Sequence, residues 1–60
     1  MASRKVIEQG NLKTVIKYSR KWNEYRIALY ALGVKVATDC ESDAIAAHDT
    51  ARAMIRDFMG

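Results

Sequence analysis

Sixty residues with a net charge of +3 make one domain with a small core, since a chain of this length buries roughly 60% of the surface its unfolded form exposes. The single cysteine, Cys40, excludes an internal disulfide, and one cysteine with one histidine excludes a zinc ligand set. No apolar run nears the roughly 20 residues that span a bilayer, no apolar segment follows the charged start to make a signal peptide, and a half-hydrophobic composition excludes wholesale disorder.

The lone thiol fits a reducing cytoplasm. Self-association is the reinforcement left open to so small a core. The modest net charge also hides a strong local one. Residues 1–35 carry eight basic and two acidic side chains, whereas residues 36–60 carry two basic and five acidic ones. A basic half followed by an acidic one says where an anionic partner docks.

Residues 1–11 hold no sustained period and end in the turn pair Gly10-Asn11, so they read as a flexible basic arm. Arg4 and Lys5 could carry that arm into a minor groove. The domain proper then runs over residues 12–60. From Leu12 to Tyr18 the residues alternate: Leu12, Thr14, Ile16 and Tyr18 on one side, Lys13, Val15 and Lys17 on the other. That alternation, with β-branched members, predicts a strand with one wet face.

Ser19-Arg20-Lys21 suits a tight turn, and Trp22 to Tyr30 reads as the second strand. Gly33 closes the next turn, since glycine takes the left-handed conformation that hairpin loops need. Val34 to Thr38 makes a third strand, with Val34, Val36 and Thr38 on one side and Lys35 and Ala37 on the other. Short connections force antiparallel neighbours.

The period then becomes helical. Asp39 or Ser42 can cap the helix, with Glu41 and Asp43 complementing its positive end. Ala44, Ala47, Ala51, Ile55 and Phe58 form one apolar stripe that Met54 and Met59 widen. The fold class is therefore α+β: a three-stranded antiparallel meander packed on one C-terminal helix.

If the helix covers Ile16, Ile27, Leu29 and Val36, the opposite sheet face is left to solvent. It then presents Lys13, Val15, Lys17, Trp22, Glu24, Arg26, Ala28, Tyr30, Lys35 and Ala37, with Arg20 and Lys21 at the adjoining turn. Lysine neutralises phosphate and arginine reads guanine edges in the major groove, which admits a β-ribbon. Trp22 and Tyr30 could stack on bases. The candidate nucleic-acid-binding set is Lys13, Lys17, Arg20, Lys21, Trp22, Arg26, Tyr30 and Lys35, with duplex DNA the favoured partner.

The remaining chemistry-bearing residues read as structural. His48 flanks the apolar stripe as a packed side chain, and Met54 and Met59 fill core gaps. Cys40 near the helix start has no base beside it and reads as a packing residue. No phosphate-binding glycine loop, metal set or paired carboxylates stand in the sequence, so no enzyme, cofactor or metal is expected.

Lys21-Trp22, Tyr25-Arg26-Ile27, Gly33, the segment Thr38-Asp39 to Asp43-Ala44, and Ala46-Ala47-His48-Asp49-Thr50-Ala51 together carry a resemblance. From Trp22 to Gly60 the chain resembles the plant Apetala-type (ethylene-response-factor) DNA-binding domain and its relatives in phage and transposon integrases. The resemblance implies a three-stranded sheet that meets DNA, with Trp22 and Arg26 on matching family positions. The family's opening Tyr-Arg-Gly and its Trp-Leu-Gly after the third strand have no counterpart here.

The size also resembles that of phage accessory proteins. Some of those regulate DNA recombination and others inhibit a host protein. A host protein with an acidic surface is thus the alternative partner for the same face. A homodimer, paired through the edge strand that begins at Leu12, is compatible with either.

Overall fold

Two-residue turns at Gly10-Asn11 and Leu32-Gly33 decide how this chain doubles back. In the computed structural model, which describes residues 4–60, they join β1 (Arg4–Gln9) to β2 (Leu12–Ser19) and β3 (Glu24–Ala31) to β4 (Val34–Glu41). A turn over residues 20–23 links β2 to β3. The strands form one antiparallel sheet in the order β1-β2-β3-β4, and α1 (Ala44–Met59) packs across one face of it. The fold is α+β with a C-terminal helix, as expected, but the sheet has four strands rather than three.

The extra strand comes from the expected flexible arm. Residues 4–9 pair with β2 in an unbroken register from Arg4↔Lys17 to Gln9↔Leu12. Glycine leads the turn with φ +60, a conformation two-residue hairpins need and other residues resist. The domain thus begins by residue 4, not 12; residues 1–3 of the expected arm lie outside the described residues. At the same end of the sheet, Leu32 takes a left-handed φ of 53 and its amide donates to the Asn11 carbonyl at 3.1 Å. That bond ties the two hairpin turns together.

The covered face is built as the alternation predicts. Ile16, Ile27, Ala47 and Ala51 make one buried cluster, and Leu12, Leu29 and Ile55 make the next. Ile7 of β1 packs against both. Ala47 and Ala51 are fully buried, and their small side chains let α1 approach β2 and β3 closely. The outer parts of the expected stripe, Ala44, Phe58 and Met59, are exposed.

Two local expectations are corrected in β4, the first by how far it runs. It continues to Glu41, so Asp39 is still in the sheet, and the cap is Asp43 rather than Asp39 or Ser42. The Asp43 carboxylate accepts from the amides of Ile45 (3.0 Å) and Ala46 (3.1 Å), satisfying two orphan donors of the first turn. The Thr50 hydroxyl donates to Glu41 at 2.8 Å, fastening α1 back onto the end of β4.

The second correction concerns faces. A register shift lies between Leu29 and Tyr30: Tyr30 pairs with Lys35 but Leu29 pairs with Ala37. The bulge inverts the simple alternation of β4. Ala37, expected in solvent, packs against Leu12, Leu29 and Ile55, whereas Val36, expected under the helix, is exposed.

One polar group interrupts the core. Thr14, 0% exposed between Ile7 and Leu29, has a hydroxyl with no hydrogen-bond partner among the described residues. Burying such a group unpaired costs about 1–3 kcal/mol. Thr14→Val keeps the shape and removes the oxygen, so it should stabilise the domain by roughly 1 kcal/mol, or about 4–8 °C in Tm at this size. An unchanged or lowered Tm would show that the hydroxyl is paired in solution.

Candidate nucleic-acid interface

Strand register sorts the uncovered face into three rows that run across the strands. Arg4, Lys17, Arg26 and Cys40 make the first; Val6, Val15, Ala28 and Thr38 the second; Glu8, Lys13, Tyr30 and Lys35 the third. Successive rows are two residues apart along β1, β2 and β3, with one extra residue on β4 at the bulge, so the outer rows lie about 13 Å from one another. Four strands about 4.8 Å apart make each row about 14 Å long. The face holds a shallow trough of about 720 Å³ whose lining includes Val15, Lys17, Arg26, Ala28, Tyr30 and Lys35.

The middle row is apolar over its first three strands, and Val15 at its heart is sheltered. Val15 is only 7% exposed although no second layer covers it. Its neighbours are Lys13 and Lys17 along β2, with Val6 and Ala28 across the strands. Lysine stems enclose such a site while their ammonium groups stay in water.

Local contacts set the posture of the basic side chains. The Lys13 ammonium lies 5.9 Å from the centre of the Tyr30 ring, a cation–π contact that orients it at the edge of the third row. Arg26 meets Glu24 at 3.5 Å, an exposed pair that leaves most of the guanidinium free for another anion. Arg4, Lys17 and Arg26 stand side by side with no acid in their row. Like charges in adjacent positions are unfavourable, and a bound polyanion relieves that repulsion.

Of the expected residues, the sheet brings together Lys13, Lys17, Arg26, Tyr30 and Lys35. Arg20 and Lys21 sit in the 20–23 turn, as expected, and Trp22 joins them there, off the strand on which it was expected. There the Lys21 ammonium lies 5.4 Å from the Trp22 ring centre, and Trp22 stays 60% exposed. The Tyr18 hydroxyl donates to the Asn23 side chain, and Asn23 takes a φ of 53, which fixes the exit from this turn. These turn residues extend the basic strip past Glu24 but do not join the trough.

Sequence reasoning missed Val6 and Glu8 and put Arg4 on a flexible arm, whereas β1 contributes all three to the rows. The available signal was Gly10-Asn11 itself, a two-residue glycine-led pair that opens the alternating run of β2. The acidic half is also placed differently from expectation. Asp39 and Glu41 end β4 and Asp43 caps α1, while the helix carries Asp49 and Asp57 against Arg52 and Arg56. The negative charge thus gathers at the corner where β4 meets α1, not along the helix.

Of the other singled-out residues, Cys40 lines the trough and His48 lies away from it. His48 is half-buried and lines a small cavity with Arg4, Lys5, Ile16 and Tyr25. Cys40, expected to pack, is exposed at the end of the first row. Among the described residues no helix is long and apolar enough to cross a membrane, and no group of His, Cys, Asp and Glu could hold a metal ion. Comparison with protein families, curated proteins and solved structures finds no significant match to this chain.

Proposed function

We propose that this protein binds nucleic acid, duplex DNA foremost, by laying the open face of its sheet across a groove. The observation that supports this most is the pair of basic rows about 13 Å apart with an apolar row between them. A major groove is about 12 Å wide, so each row meets one of the two phosphate backbones that border it. The strands then cross the groove and the rows run along the backbones.

The same arrangement limits what is read. Val6, Val15 and Ala28 in the middle row are short and carry no donor or acceptor for base edges, and Thr38 at its β4 end adds a single hydroxyl, so readout of sequence is weak. Arg26, in the first row but on the inner strand β3, is the one guanidinium away from the sheet edges that could turn from the backbone to a guanine. Binding of this kind is governed by phosphate neutralisation and is sequence-tolerant.

A gel-shift or anisotropy titration at several salt concentrations tests the proposal. Five cations on the face, Arg4, Lys13, Lys17, Arg26 and Lys35, give a slope of log K against log salt of about −4.5 if each meets a phosphate. A slope near zero, or no binding at 50 mM salt, overturns it. The second reading, a partner protein with an acidic surface, is favoured by the apolar middle row, which adds nothing to phosphate binding. In that case the duplex titration fails while the face still accounts for the partner.

A further inference from the structure

The edge that pairing with β1 leaves open is self-complementary, and we infer that a second copy of this chain docks there, β1 against β1, to make one eight-stranded sheet. The expected edge at Leu12 is not available, because β1 occupies it. Of the two edges that remain, β4 carries the bulge beside Leu29 and Tyr30 together with Asp39 and Glu41. Bulges are devices that blunt an edge against pairing. β1 is regular over its six residues.

Its sequence then decides the register. A two-fold axis normal to the sheet keeps both open faces on the same side only if residues of equal parity oppose one another. Centred on Val6, that axis puts Val6 opposite Val6 of the second copy and Arg4 opposite Glu8, twice. The tight Gly10-Asn11 turn makes Gln9 and Leu12 the hydrogen-bonded pair, so by alternation the backbone groups of Glu8, Val6 and Arg4 point out of the sheet. They are the groups this pairing uses.

Each element of the contact answers a feature of the isolated chain. Val6 is 43% exposed and becomes the centre of the seam. Arg4, which stands beside Lys17 in its own sheet, gains a carboxylate partner. The rows also become continuous: the first row of one copy runs into the third row of the other, and the two apolar rows join at Val6. A pair of six-residue strands is at the small end of specific interfaces, so association is weak and rises with concentration. The inference stands whether or not the face binds nucleic acid.

Cross-linking in the absence of nucleic acid tests it. In a Cys40→Ser background, Val6→Cys places two thiols on the axis, where Cα atoms about 5.5 Å apart fall within disulfide range. Mild oxidation at high micromolar protein should give a linked dimer, while Thr38→Cys on β4 in the same background should not. Arg4→Glu, added to the Val6→Cys chain, sets acid against acid and should lower the linked fraction roughly tenfold. Its own fold is not at risk, since the change relieves the contact with Lys17. Combining Arg4→Glu with Glu8→Arg should restore linking. No linked dimer from Val6→Cys, equal linking from Thr38→Cys, or no rescue by the double exchange would each overturn the β1 seam.

Discussion

Ile27→Ala should lower Tm by about 15 °C and leave a large part of the chain unfolded at 37 °C. Ile27 is 1% exposed and sits where the central strand β3 meets Ile16 on β2 and Ala47 and Ala51 on α1. Truncating a fully buried isoleucine to alanine costs about 2–5 kcal/mol, because the lost transfer energy is joined by a cavity that the neighbours only partly fill. Here they fill it badly. The two alanines opposite are already at their smallest, and the backbones they bring together cannot move closer without breaking the sheet.

The total stability of a 60-residue domain is about 3–9 kcal/mol, so this one change removes a large share of it. A thermal melt followed by circular dichroism, repeated in urea, measures the loss. A change below about 1 kcal/mol would mean that β3 and α1 are not packed as described.

Lys17→Glu with Arg26→Glu should weaken binding to duplex DNA at least a hundredfold at 150 mM salt while leaving the fold intact. The two side chains are direct cross-strand neighbours in the first row. Exchanging both signs together replaces one like-charge pair by another, so the repulsion inside the sheet is nearly unchanged. The contact of Arg26 with Glu24 is lost, but it is exposed and contributes little.

Binding feels the full change. Two phosphate contacts vanish, which moves the expected salt slope from about −4.5 to about −2.7, and two carboxylates are set against the backbone. A native circular dichroism spectrum with unaltered affinity would show that the polyanion does not meet this row. Loss of binding together with loss of structure would instead point to a role for the row in holding β2 to β3.

Much of this arrangement was legible one residue at a time. The alternation of Leu12, Thr14 and Ile16 against Lys13, Val15 and Lys17 assigns β2 its faces correctly, and Ile27 and Leu29 do the same for β3. The spacing of Ala47, Ala51 and Ile55 identifies the buried stripe of α1. Lys13, Lys17, Arg26, Tyr30 and Lys35 could be grouped from these patterns because a hairpin turn of an even number of residues sets odd positions of one strand beside even positions of the next on the same face.

What escaped has particular causes. β1 has only Val6 and Ile7 as apolar residues and Arg4, Lys5 and Glu8 as charged ones, so its hydrophobic pattern is too weak to read by itself. It becomes a strand because β2 offers it a row of backbone partners. The faces of β4 failed for another reason: a bulge adds one residue to the count, and every parity beyond it reverses. Asp43 rather than Asp39 caps the helix because β3 is long enough to hold β4 in the sheet as far as Glu41.

By itself, then, the amino-acid sequence determined the hairpin turns, the faces of β2 and β3, and the stripe of α1. These rest on periodicity and on local backbone preference. The tertiary structure alone decided that residues 4–9 are a strand, that Val36 and Ala37 exchange sides, and that the acidic residues gather at the β4–α1 corner. Each of these depends on which backbone lies alongside, and pairing between segments distant in sequence is not written in either segment alone.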